Sequence, residues 1–169
     1  MKKRKLLIKQ KEKILRAIKK IKSSDYDYVV EGLSSYNTTY NYSKDNVFHP
    51  IFDGFLNIAG PGYKILDFWF NIYGPRGYVK PHGHAEQETN GDLMSGVYYF
   101  QKPIKSGNLV LNKQVVEVEE DDLILFDSHL QHYTEPNKSN GDRIIFSCNL
   151  AKGYKKILKD GRWTLVKLL

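Results

Sequence analysis

From residue 63 to residue 150, apolar residues recur with a period of two, in short runs each closed by turn residues within about ten positions. Leu66, Phe68, Phe70 and Ile72 alternate with Ile65, Asp67, Trp69 and Asn71. SGVYYF (95–100), the segments 108–111, 115–118 and 123–126, and RIIFSCNL (143–150) read as further strands rich in β-formers. GPRG (74–77) reads as a turn, 78–84 as a short strand, and 119–122 as an acidic turn. Asp160-Gly161 separates YKKIL from RWTLVKLL, which predicts a terminal hairpin. Many short strands with frequent turns predict a mainly β chain folded as a sandwich, jelly roll or barrel. Residues 53–62 carry glycines and a proline, so they are expected to turn. Residues 23–46, rich in Ser, Asn, Asp and Tyr, read as a loop or an irregular edge segment, with the tyrosines of 36–42 near a site entrance.

Upstream of this pattern, residues 6–22 carry Leu7, Ile14, Ile18 and Ile21 at helical spacing with lysines opposite, which predicts an amphipathic helix. Residues 1–22 hold 11 Lys or Arg and a single acid, Glu12, a local charge of +10. From chain totals of 26 bases and 19 acids, this leaves 15 against 18, or −3, for residues 23–169. The basic balance therefore belongs to the N-terminal segment and does not make the whole domain a nucleic-acid binder. The segment either packs its apolar stripe on the domain or serves as a nucleic-acid-binding arm; the packing reading is preferred, because most amphipathic helices cover a core. A chain of 169 residues suits one core, and a single domain is expected over 23–169. No run of eighteen or more apolar residues is present, so no membrane span is expected, and no secretory signal pattern is seen. The single cysteine, Cys148, excludes an internal disulfide and any Cys-rich metal or cluster site. It fits a reducing, cytoplasmic setting.

The chemistry gathers around histidine. Of the five histidines, His82 and His84 stand two apart, which places both imidazoles on one face of an extended stretch. His132 follows after several strands, where a folded sheet can return it. Three protein ligands with open positions is the design of a catalytic metal site. Taken alone, however, a His-x-His is more often a pair of surface or hydrogen-bonded histidines. His49 and His129 have no such partners in the sequence. Arg143 opens an apolar strand, where it either faces solvent or is buried to pair with a carboxylate.

The ordered blocks FWFNIYGPRGYVKPHGH, SGVYYF, DDLILFDSHLQH and RIIFSCN resemble a bacterial and phage family of 2-oxoglutarate–Fe(II) oxygenases, related to the prolyl-4-hydroxylase-like and phytanoyl-hydroxylase-like groups. The resemblance covers roughly residues 65–150. It implies a double-stranded β-helix, jelly-roll or cupin-like, with N-terminal helical support. It implies Fe(II) held by His82 and His132, with 2-oxoglutarate as cosubstrate and O2 as oxidant. The family's middle ligand is usually an Asp or Glu two residues after the first His, and here His84 stands there. Either His84 is the third ligand, or Glu86 or Glu88 supplies a carboxylate while His84 faces substrate. The resemblance further implies that Arg143 binds the distal carboxylate of 2-oxoglutarate, with Asn71 and Tyr99 lining that pocket; Tyr73 reads as an ordinary strand position. Departures from the family pattern include the longer AEQETNGD stretch and Asp127 at a position where proline is common. The activity implied is hydroxylation of a substrate C–H bond, with decarboxylation of 2-oxoglutarate to succinate. The substrate, a small molecule or a peptidyl group, is not named by the sequence. Two other readings stand beside it: a cupin-like three-His dioxygenase that uses no oxo acid, and a non-catalytic β-sandwich binding module.

Overall fold

The structure, a computed structural model, describes residues 1–21, 27–34, 45–85, 89–159 and 162–167. In chain order the elements are β1 (Lys2–Lys5), α1 (Lys11–Lys20), β2 (Asp27–Ser34), a 3-10 turn (Asn46–Phe48), α2 (His49–Ala59), β3 (Tyr63–Tyr78), β4 (Leu93–Gln101), β5 (Leu109–Leu111), β6 (Gln114–Val116), β7 (Asp122–Asp127), β8 (His132–Thr134), β9 (Arg143–Lys152), β10 (Tyr154–Lys159) and β11 (Arg162–Lys167). One sheet has the order β1-β7-β4-β9-β3-β2, a second has β6-β5-β8, and β10-β11 form the expected hairpin.

The period-two alternation sorts side chains between two cores. On one face of the large sheet, Phe70, Tyr98, Phe100, Leu123, Leu125 and Phe146 pack with Ile14 and Ile18 of α1 and Phe55 of α2. On the other face, Tyr73, Val97, Tyr99, Ile124 and Ile145 pack with Leu109 and Leu111 of the small sheet. Each large side chain buried this way contributes about 1.5–3 kcal/mol. The result is the expected double-stranded β-helix, two antiparallel sheets face to face, with helices outside the larger one.

Four local expectations are corrected. Residues 53–62 do not turn throughout, because α2 runs to Ala59. Ile51, Phe55 and Ala59 form its buried stripe, and Pro50 starts it without needing an N–H donor. Gly54 lies inside this helix because a Cβ there would meet Leu6 Cδ2 at 2.5 Å. GPRG does not turn either. β3 continues through it with a register irregularity against β2, and Arg76 takes φ 71°. Its backbone pairs instead with Asn137, which accepts from Arg76 N at 2.6 Å and donates from its own N to Gly77 O at 3.0 Å.

Residues 78–84 are not a strand beyond Tyr78, since only His82 is bridged, to His132. The N-terminal helix is shorter than the expected 6–22, and Lys2–Lys5 instead form an edge strand paired antiparallel with β7. The acidic turn explains the docking: Lys3 Nζ reaches Asp122 at 2.9 Å, Lys5 Nζ reaches Glu119 at 2.9 Å, and Lys11 Nζ reaches Glu120 and Asp121 at 2.7 Å each. Lysine on an exposed edge also discourages pairing with another chain. The segment 23–46 contributes edge strand β2, and the tyrosines of 36–42 lie outside the described residues.

Candidate metal centre

The strand order puts β8 of the small sheet opposite the segment that leaves β3. His82 and His132 face each other as an antiparallel bridge, with His82 N donating to His132 O at 3.0 Å and His132 N to His82 O at 2.8 Å. The backbone N–H of His84 donates to Ser128 O at 2.9 Å, which turns its ring back toward the pair. One ligand atom from each of His82, His84 and His132 lies within 4.8 Å of the others. That spacing approaches the span of two metal–nitrogen bonds of about 2.1 Å each. Among the described residues the cluster includes no carboxylate; Glu86 and Glu88 lie outside them.

The rings are held in the tautomer that metal binding needs. His82 Nδ1 is 2.8 Å from Lys80 O, and His132 Nδ1 is 2.9 Å from Leu130 O. A carbonyl only accepts, so each Nδ1 carries the proton and each Nε2 keeps a free lone pair. His84 stands edge-on to Trp69, with centroids 6.2 Å apart. Burial, aided by repulsion from His82, lowers the pKa of His84 to about 4 and that of His132 to about 3. Both are therefore neutral at pH 7, and a divalent cation meets lone pairs rather than protons. This donor set fits a transition metal with open positions.

Behind the triad lies a cavity of about 240 Å³. Trp69, Asn71 and Tyr73 of β3 line it together with Val97, Thr134 and Ile145. Asn71 thus faces the cavity, and so does Tyr73, read from sequence as an ordinary strand position. Tyr99 is fully buried on the same inner face, and its hydroxyl has no hydrogen-bond partner.

Arg143 is not at the surface: it is 0% exposed. Its Nη1 donates to Ser106 O and to Glu135 O at 3.0 Å, and its Nη2 to Gly77 O at 3.4 Å and Thr134 Oγ1 at 2.9 Å. The guanidinium carbon stands 4.7 Å from the centroid of the Tyr73 ring. Nε is buried without a partner. Burial lowers the Arg143 pKa, though not enough to discharge a guanidinium. The expected two-pronged grip of Arg143 on a carboxylate is therefore not what this arrangement offers, because both outer nitrogens already serve protein acceptors. The charge is nevertheless placed against the cavity wall, and the unpaired Arg143 Nε and Tyr99 hydroxyl are polar groups suited to an anionic ligand at this end.

His129 stays out of the triad. Its Nδ1 pairs with Asp127 at 2.8 Å, and Asp127 also accepts from Gly91 N at 2.9 Å and Thr89 Oγ1 at 3.0 Å. Asp127 thus ties the segment after the His pair to β7. His49 opens α2 and is not part of the cluster. Sequence reasoning missed Thr134 and the anchoring role of Asp127. The one signal for Asp127 was a carboxylate standing where the family carries proline.

No protein-family model matches the chain, and no curated protein matches it in sequence. Solved structures match it in fold. A viral collagen prolyl hydroxylase from Paramecium bursaria chlorella virus 1, in complex with 2-oxoglutarate, is 17% identical with a TM-score of 0.62, covering 89% of this chain and 95% of that one. A Pseudomonas putida prolyl-4-hydroxylase is 15% identical with a TM-score of 0.57, covering 89% and 91%. HygX from Streptomyces hygroscopicus, with nickel, 2-oxoglutarate and hygromycin B bound, is 9% identical with a TM-score of 0.57, covering 87% and 80%. The chain thus has the fold of 2-oxoglutarate–Fe(II) oxygenases.

Proposed function

We propose that this protein is an Fe(II)- and 2-oxoglutarate-dependent oxygenase that hydroxylates a C–H bond of its substrate. The observation that carries the reading is the convergence of three imidazoles on one point at the inner cavity of a double-stranded β-helix. Bound iron, with 2-oxoglutarate and O2, supplies the oxidising chemistry; the chain supplies position and environment. His82, His84 and His132 would ligate the metal through nitrogen. Lys80 O and Leu130 O hold two of these rings in register by accepting from Nδ1. The apolar wall of Trp69, Val97 and Ile145 limits water around the reacting groups. The buried Arg143 charge makes the inner end of the cavity electropositive, which orients a dianionic cosubstrate with its far carboxylate inward.

The substrate is a small molecule or a peptidyl group able to reach this cavity. The neighbours in fold include a collagen prolyl hydroxylase and a protein solved with hygromycin B, so both chemical types occur on this architecture. The buried, unpaired thiol Cys148 supports a reducing cytoplasmic setting. The test is an anaerobic titration with Fe(II) followed by 2-oxoglutarate, read by the weak visible charge-transfer absorption of the chelated oxo acid. Its appearance supports the reading. Iron binding with no such absorption refutes it in favour of a three-His dioxygenase, and no iron binding at all points to a binding module.

A further inference from the structure

His82 and His132 are fixed twice over, by the bridge they share and by a carbonyl on each Nδ1. Among the described residues no carbonyl braces the ring of His84 in this way; it meets Trp69 edge-on instead. The place of His84 therefore depends on its backbone. Its N–H and that of Ala85 both donate to Ser128 O, at 2.9 and 3.2 Å. The strip lies close on this turn, since a Cβ on Gly83 would come within 3.4 Å of His129 O. Ser128 is tied to β4 by its own N–H, which donates to Leu93 O at 3.0 Å. The chain that leaves His84 is held by Asp127. On that side the carboxylate accepts from Thr89 Oγ1 at 3.0 Å and Gly91 N at 2.9 Å. On the other it accepts from His129 N at 3.2 Å and His129 Nδ1 at 2.8 Å. Thr89 Oγ1 also accepts from Leu93 N at 3.0 Å, at the start of β4. The three departures from the family pattern, His84, the longer stretch 85–92 and Asp127, thus meet at one place.

Resting on the three-histidine centre of the oxygenase reading, we propose that Asp127 is the positioning residue that makes His84 a metal ligand, through a latch closed by Thr89 and Gly91. A ligand free to swing must be ordered when the metal binds, and that cost falls on affinity. The latch sets the order beforehand. A proline at position 127 has no side-chain acceptor and could not close it. Releasing the latch acts on His84 before His132. The brace of His132, Leu130 O, lies in the same turn, but His132 is also bonded across the bridge to His82 and paired in β8 with Leu111 of β5. His84 has only the backbone contact to Ser128 and the chain on either side of it.

The experiment compares wild type, Asp127→Ala, Thr89→Val and Thr89→Ser at pH 7, with two readouts and no turnover. Co(II) titration gives the affinity. Spin-echo modulation of the Cu(II)-loaded protein counts coordinated imidazoles, because Cu(II) binds tightly enough to load a site with one ligand fewer. The wild type should show all three imidazoles. Asp127→Ala should show one fewer and bind Co(II) about 10- to 100-fold more weakly, the range for a lost outer partner of a ligand. Thr89→Val should weaken Co(II) in the same direction, and Thr89→Ser should stay within about 3-fold of wild type, since its hydroxyl is retained. A folded Asp127→Ala that keeps every imidazole overturns the proposal, even if its affinity falls, because its part is then merely structural. Should Asp127→Ala fail to fold, the threonine pair decides: equal Co(II) affinities for valine and serine overturn the proposal. A wild type already lacking the third imidazole overturns it as well and leaves the oxygenase reading to the titration with 2-oxoglutarate. A wild type that binds neither metal removes both together.

Discussion

The backbones of His82 and His132 exchange both of their hydrogen bonds, and each ring is braced by the carbonyl two residues before it in sequence. The two ligands are therefore held by the same local device on opposite sides of one bridge. Their ring centroids are 4.3 Å apart. Such a pair enters metal binding with its orientation already set, which lowers the ordering cost of ligation.

His82→Ala and His132→Ala should each weaken Fe(II) or Co(II) binding at least about tenfold, by loss of a direct ligand. His84→Asp should keep the metal, because a carboxylate at that position rebuilds the two-His-one-carboxylate arrangement, whereas His84→Ala should lose it. Titration followed by d–d absorption of Co(II) checks all four. An Asp variant as weak as the Ala variant would place His84 outside the ligand set.

Arg143→Ala should cost both stability and cosubstrate binding. The change leaves the buried carbonyls of Ser106 and Glu135 without their donor, and each unmade partner costs about 1–3 kcal/mol. Urea unfolding of the metal-free protein measures this separately from the oxo acid. Stability equal to wild type would show that the carbonyls find water instead.

Gly96 marks where α2 presses on the large sheet. A Cβ there would meet Phe55 Cε1 at 2.7 Å and both Cys148 Sγ and Leu125 Cδ2 at 2.8 Å. Gly96→Ala should therefore destabilise by about 1–3 kcal/mol through overpacking. Metal affinity should hold, because the strain falls on the helix side of the sheet. Thermal unfolding and Co(II) titration of the same sample read the two effects.

Asp127 carries an acid-dependent part of the stability. Burial works to raise its pKa, but hydrogen bonds from His129, Gly91 and Thr89 prevail and hold it at about 2. An unfolded aspartate titrates near about 3.9. The contribution is thus fully present above about pH 4 and lost as pH falls toward 2, amounting to about 2 kcal/mol at most. Asp127→Asn should remove this part of the pH dependence. Urea midpoints at pH 6 and pH 3 should fall further apart in wild type than in the variant.

Deleting residues 1–20 should unfold the domain rather than merely remove a charged arm. Ile14 and Ile18 are 0% and 3% exposed, and β1 covers the edge of β7. Circular dichroism of the truncated chain checks this; a fully folded product would return the segment to the role of a detachable arm.

Much of this protein was legible from local pattern. Short apolar runs rich in β-formers placed β4, β7 and β9 nearly to the residue, because a strand buried on both faces carries apolar residues at almost every position. His82 and His132 were singled out by the family resemblance, and spacing alone left His84 open against Glu86 or Glu88. Tertiary contact decided the rest. Gly54 stays free of a side chain because Leu6, which follows β1, packs against it, and GPRG stays within β3 because Asn137 takes its backbone groups. The four lysines and arginines of 2–5 become a strand because acids over a hundred residues later face them. For Arg143 the sequence left a surface and a buried position both open; the fold buries it, with hydrogen bonds to the carbonyls of Gly77 in β3, Ser106 and Glu135 and to Thr134. Carbonyls are common to every residue and leave no trace in sequence, so which nitrogen remained for a ligand was a property of the fold alone.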